Sequence, residues 1–189
     1  MNQADYIKSY CRKIASGFAA LEQMAPQIDA AAAAVAGAVK AGNKVLLCGN
    51  GGSAADAQHI AAELMGRFKK ERKALAALAL TTDTSALTAI ANDYEFSEIF
   101  VRQIEGLSTS GDVLIALSTS GNSENIIKAA VCAKERAVTV IALTGQKGGA
   151  LAPLSDHALQ VPSDETSHIQ EMHIAVGHMI CSIVESAFE

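Results

Sequence analysis

The chain has 189 residues, half of them apolar and only 4% aromatic, with a formal charge of −5. That length suits one well-buried domain, and an alanine-rich, aromatic-poor composition suits helices packed closely on a sheet. The acidic balance leaves no basic footprint for nucleic acid, and no stretch has the length and apolarity of a membrane span. The opening Met-Asn-Gln-Ala-Asp has neither the basic nor the apolar region of a signal peptide. Cys11, Cys48, Cys132 and Cys181 are widely spaced, form no CxxC pair, and read as reduced core thiols of a cytosolic protein.

In chain order, Ile7, Tyr10, Cys11, Ile14, Phe18 and Leu21 recur at helical spacing and predict a helix over about residues 4–23. Pro26 interrupts, and a second helix is expected over about 28–40, closed by Gly42. Two helices ahead of the first strand exceed what a sheet needs for cover. Their surplus apolar surface fits packing against a second subunit, or equally a cap within the monomer.

Residues 44–48 form a short apolar run of strand length, followed by Gly49, Gly51 and Gly52, which let a ligand approach the main chain. Ser53 stands where a helix N-cap belongs, and the alanine-rich run after it favours helix, so its first N–H groups suit a phosphate. His59 and Glu63 lie one turn apart on the same face, a spacing for handling a metal or a proton. The plainer reading of that pair is an ordinary hydrogen bond, and the loop matches neither the dinucleotide fingerprint nor the P-loop.

Arg67 to Lys73 is charged and reads as a solvated connection, although Arg67, one turn past Glu63, stands where it could meet an anion at the same site. A second strand is predicted over about 74–80, then a turn at Thr81–Ser85 with helix-capping chemistry. Asn92 and Asp93 interrupt the next apolar segment, either as a turn or cap or as polar groups presented to a ligand. The third strand, 113–117, runs into Ser118-Thr119-Ser120-Gly121-Asn122-Ser123 and a helix over about 124–136. Capping needs one hydroxyl; Ser118, Thr119, Ser120 and Ser123 with open N–H groups can hold a phosphate monoester without a lysine.

A fourth strand is expected over 138–143 and a short edge strand over 158–161, ended by Pro162. The last helix starts near Thr166 and carries Gln170, Glu171, His173 and His178 among apolar residues. His178 lies roughly 80° round the axis from Gln170 and roughly 20° from Glu171, so periodicity pairs it with either. The alternation of strands and helices predicts an α/β fold with a parallel sheet, and ligands at the carboxyl ends of its strands.

The Cys48-to-Ser53 strand–turn–helix unit, the serine loop and the Ile169-to-His173 segment together resemble the sugar isomerase (SIS) domain. Gln58-His59…Glu63 with Gln170…His178 narrows the resemblance to the phosphoheptose isomerases, over essentially the whole chain. The resemblance implies a three-layer α/β/α sandwich and one SIS domain over 1–189, with a helical oligomerisation segment (1–42) and an α/β core (43–189). It implies a cytoplasmic homotetramer whose active sites are shared between subunits, with no nucleic-acid or membrane partner. The implied reaction converts D-sedoheptulose 7-phosphate to D-glycero-D-manno-heptose 7-phosphate through an enediol, the first step toward lipopolysaccharide heptose.

By the same resemblance, Ser53, Ser118, Thr119, Ser120 and Ser123 contact phosphate and sugar. Asn50, Gly51, Gly52 and Gln170 would line the substrate, with Asn92 and Asp93 opposite. His59, Glu63, Gln170 and His178 match the ligands of one Zn²⁺ per subunit, and Glu63 with His178 matches the catalytic pair. A carboxylate to move a carbon-bound proton and an imidazole to serve the oxygen fit such chemistry, with Glu63 favoured as base over tight metal ligand. Ser167-His168 departs from the acidic or arginine residue common at this point, where the far end of the sugar would be read. Three other readings share these loops. One is a non-catalytic scaffold resembling the DnaA initiator-associating protein, whose members generally lack counterparts of Glu63 and His178. Another is a sensor without turnover, and the third is an isomerase of another phosphosugar.

Overall fold

A computed structural model describes residues 2–188. In chain order the elements are α1 (Gln3–Leu21), α2 (Ala25–Lys40), β1 (Val45–Gly49), α3 (Gly52–Met65), β2 (Ala77–Ala79) and α4 (Thr84–Asp93). They continue with α5 (Val101–Leu107), β3 (Val113–Leu117), α6 (Glu124–Glu135), β4 (Thr139–Gly145), β5 (His157–Val161) and α7 (Thr166–Ser186).

The strands pair in parallel in the order β2-β1-β3-β4-β5, with Val45 opposite Val113 and Gly49 opposite Leu117. Side chains alternate between the faces, as the period of a strand requires. Leu47, Ile115 and Leu143 face a core shared with α2, α3 and α7, whereas Leu46, Leu114 and Val140 face one shared with Phe100, Ile104 and α6. Because both faces are covered, β1 and β3 are buried along their whole length, which is why they read as unbroken apolar runs. The parallel sheet expected from the strand–helix alternation, and the three-layer α/β/α sandwich implied by the resemblance, are the fold.

Several local expectations change. Pro26 opens α2 rather than interrupting the chain, since proline costs nothing in a first turn whose N–H has no helical partner. The helix ends in a Schellman turn. Gly42 (φ +86°) donates to the Val39 carbonyl and Asn43 to that of Ala38, at 3.1 and 3.0 Å. Cys48, Cys132 and Cys181 are buried, but Cys11 is exposed, because most of α1 stands away from the core with Leu21 as its buried residue. A short 3₁₀ turn at Phe96–Glu98 and α5, whose N-cap Phe100 and inward Ile104 enter the core, lie in a stretch for which the sequence suggested no element.

Residues 67–73 are not a freely solvated connection. The carboxylate of Glu185, itself only 3% exposed, accepts backbone N–H bonds from Phe68, Lys69 and Lys70 at 3.0, 2.8 and 3.0 Å. Arg72 Nε lies 3.4 Å from the same carboxylate.

Candidate active site and metal centre

From β1 the chain crosses to β2 on one side, and β3 then pairs with β1 on the other, so the winding reverses between β1 and β3. Ligands of open α/β sheets bind in the crevice outside the strand ends at such a switch point. Since Gly49 and Leu117 are the last residues paired there, the glycine turn and the serine loop that follow them are neighbours. A reciprocal amide pair fastens them: Asn50 donates to Asn125 and Asn125 to Asn50, both at 2.8 Å. Asn125, 3% exposed in the first turn of α6, carried no signal in the sequence beyond helix polarity.

Two helices aim their N-termini into this crevice, and neither has a side-chain cap. The N-cap of α3 is Gly51, not Ser53. A φ of +55° at Gly51 starts the helix earlier, and Ser53 lies buried in its first turn. At α6 the N-cap is Ser123, whose hydroxyl makes no capping bond and lies 3.1 Å from that of Ser118. Ser53 and Ala54 N–H turn back to the Asn50 and Gly51 carbonyls, and Ile126 N–H to that of Ser123, each at 3.0 Å, which leaves the N–H groups of Gly52 in α3 and of Glu124 and Asn125 in α6 to meet an anion. Gly121, at φ +65°, turns the loop so closely over the Gly148–Gly149 turn that a Cβ would press on the Gly148 carbonyl. Ser120 Oγ accepts from Asn122 N–H at 3.1 Å, and Asn122 Oδ1 accepts from Ala150 N–H at 3.0 Å. Beside the loop lies a cleft of about 250 Å³ lined by Thr119, Ser120, Lys147, Ser163 and Thr166.

Helices α3 and α7 lie side by side and run the same way. A Cβ on Gly52 would come within 2.6 Å of the Gln170 amide, and one on Gly177 within 2.6 Å of Ile60 Cδ1. Further along, Cys181 Sγ is 4.0 Å from the Ile60 carbonyl. This alignment sets His59 and Glu63 against His178. His59 Nε2 is 3.2 Å from Glu63 Oε1 and 3.0 Å from His178 Nε2, and the three ligand atoms lie within 4.8 Å of one another.

His59 Nε2 holds at most one proton, so it cannot donate to the carboxylate and the second imidazole at once. Three lone-pair donors facing inward are what a cation needs, and two histidines with a carboxylate suit zinc, with a position left open. The residues present thus fit the ion. Phe68 stacks on the His178 ring at 5.5 Å and 23°, and Arg72 donates to the carbonyls of Glu63 and Leu64 at 2.8 and 2.9 Å.

The remaining candidates fall elsewhere. Gln170 is eight residues from His178, about 12 Å along α7, and lies against Gly52 at the crevice rather than beside the two histidines. Asn92 and Asp93 end α4, exposed, with Asn92 Nδ2 donating to Asp93 at 2.9 Å. Arg67 is exposed, with Glu71 at 4.0 Å. Glu171 does not pair with His178; it accepts from the Tyr10 hydroxyl at 2.8 Å. His168 is buried against the edge of the Tyr10 ring, with Nδ1 3.5 Å from Glu165. His173 is wholly buried, and burial lowers its pKa from 6.5 to about 4, with the Thr144 backbone acting in the opposite, raising direction. Phe68, Arg72 and Glu185 were read as linker or helix residues, and only the folded chain brings Phe68 to His178 and Arg72 to the Glu63 carbonyl and Glu185.

Comparison with known proteins bears on the fold and the family. Residues 9–145 match the SIS domain family. The phosphoheptose isomerase of Rhodospirillum rubrum is 54% identical over 183 residues, covering 97% of each chain. The structure of a phosphoheptose isomerase from Francisella tularensis superposes with a TM-score of 0.95 at 40% identity, covering 98% of this chain and all of that one. The corresponding structure from Neisseria gonorrhoeae gives 0.93 at 43% identity, with the same coverage. The chain belongs to the phosphoheptose isomerase family of SIS-domain proteins.

Proposed function

We propose that this protein converts D-sedoheptulose 7-phosphate to D-glycero-D-manno-heptose 7-phosphate, in the cytoplasm, at the start of heptose supply for lipopolysaccharide. The observation that carries the proposal is the convergence of His59, Glu63 and His178 on two helices, one of which opens its N-terminus at the phosphate-compatible crevice. The open N–H groups of α3 and α6, with Ser53, Ser118, Thr119, Ser120 and Ser123, hold the phosphate and fix the sugar's register. Asn50, Gly51, Gly52 and Gln170 then line the chain of hydroxyls.

Glu63 takes a proton from C1 of the ketose and returns it to C2. His178 protonates the C2 oxygen and accepts the C1 hydroxyl proton, so the carbonyl moves by one carbon without net gain or loss of electrons. Zn²⁺ would be held by His59 and His178, with Glu63 a loose contact that leaves its carboxylate free as the base, and would supply Lewis-acid polarisation. We further propose a homotetramer with one ion per subunit and active sites at subunit boundaries. The separation of Gln170 from His178 supports this, because a Gln170 ligand would then come from a neighbouring copy, as would Asn92 and Asp93 opposite the substrate.

The test is incubation of purified protein with sedoheptulose 7-phosphate in D₂O, followed by NMR. The expected product is the aldose carrying solvent deuterium at C2. No aldose under any metal condition would overturn the proposal. Aldose free of solvent deuterium in both product and recovered ketose would count against proton removal by an exchanging carboxylate.

A further inference from the structure

We propose that residues 67–73 form a bracket that fixes the imidazole plane of His178, with Phe68 as the positioning residue and the buried Arg72–Glu185 pair as its anchor. The inference rests on the metal-centre reading and extends it to residues that would not touch the substrate.

The observations form a closed circuit. Glu185, in the last turns of α7, gathers the N–H groups of Phe68, Lys69 and Lys70. Arg72 and Glu185 have side chains only 4% and 3% exposed. Removing two charges from water is costly unless each is paired and hydrogen-bonded, and here Arg72 is also bound to the carbonyls of Glu63, Leu64, Gly66 and Lys73 at 2.8–3.2 Å. Those carbonyls include Glu63 and Leu64 in the last turn of α3, the latter also accepting from Leu75 N–H at 3.1 Å. The bracket therefore grips the turn that carries Glu63 and, seven residues further along α7 from His178, the helix that carries the imidazole. Between the two anchors it lays Phe68 on the His178 ring, at 5.5 Å between centroids and 23° between planes.

A histidine ligand needs its ring plane fixed, usually by a hydrogen bond to the second nitrogen. Here Nε2 of His178 faces His59, and the contact that fixes the plane is a stacked aromatic ring rather than an acceptor. A linker with only a spacing role would not need an aromatic residue there or a buried ion pair beneath it.

The test compares Phe68→Leu and Phe68→Tyr with the parent protein. The readouts are zinc affinity by chelator competition, thermal stability of the metal-free protein, and the split of kcat from KM. Phe68→Leu should bind zinc about tenfold or more weakly, lower kcat more than KM, and lower the metal-free melting temperature only modestly, since Phe68 is partly buried against the core. Phe68→Tyr should restore both zinc affinity and kcat. Arg72→Lys gives a second variant, expected to weaken zinc binding in the same direction by loosening the anchor. Unchanged zinc affinity in Phe68→Leu, or a loss that Phe68→Tyr does not restore, would overturn the bracket. Those outcomes differ from failure of the metal-centre reading, in which the parent protein itself would bind no zinc.

Discussion

Glu63 lies 3.2 Å from His59 through one carboxylate oxygen, and its side chain is a quarter exposed. It is accessible enough to meet a substrate, and its backbone is fixed by Arg72. Replacing it by Gln keeps shape and hydrogen bonding but removes the base. Glu63→Gln should bind substrate near normally while kcat falls by roughly a hundredfold or more, checked by calorimetric binding beside steady-state kinetics. His173 gives a second prediction. Its folded pKa is depressed, so the unfolded chain takes up a proton as pH falls below 6.5 while the native chain resists until about 4. Stability should therefore decline through that window and flatten below it, by on the order of 3 kcal/mol. Urea unfolding of metal-free protein at pH 7 and pH 4.5 should show this loss, and His173→Gln should reduce it. Asp112 titrates lower. Burial would raise its pKa, but hydrogen bonds from Lys44 and Thr109 hold it below the usual range, so its contribution is lost only at more acid pH. The types and spacing of His59, Glu63 and the serines were legible in the sequence because each lies on one element. Periodicity left the partner of His178 open between Gln170 and Glu171, because one helix is silent about what packs against it, and the grouping with His59 and Glu63 came from the family resemblance.

At the scale of elements, the site depends on turns that only small residues can make. Gly121→Ala places a side chain against the Gly148 carbonyl at a φ of +65°. It should cost about 2 kcal/mol or more and raise KM through the displaced serine loop. Unfolding curves and kinetics on the same preparation would check both. Strands β1 and β3 and helices α6 and α7 were readable because burial on both faces, or a long apolar stripe, writes a clear period. Helix α5 was not, since seven residues after a 3₁₀ turn are too few to establish one. Residues 67–73 misled for a different reason. Their charge suggests solvent, but Arg72 and backbone N–H groups turn inward to Glu185, more than a hundred residues away. Burial would raise the Glu185 pKa, yet the backbone bonds and Arg72 bring it below the ordinary value.

For the whole molecule, α1 leaves Tyr6 and Ile7 each 59% exposed. A groove of about 430 Å³ beside it is lined by Phe18, Leu21, Ile28, Met179 and Ile183. Apolar surface of this kind is what the proposed tetramer would cover. Sedimentation should give four copies, and Ile7→Glu should shift the population toward smaller species with a parallel loss of turnover; a fully active monomer would contradict shared sites. His59, Glu63 and His178 are proposed as the reacting metal centre of an isomerase. The most direct measurement is turnover of sedoheptulose 7-phosphate after exhaustive chelation, with zinc content determined, and again after zinc is restored. Activity should fall with the metal and return with it. Full activity in protein shown to be free of metal would contradict that proposal.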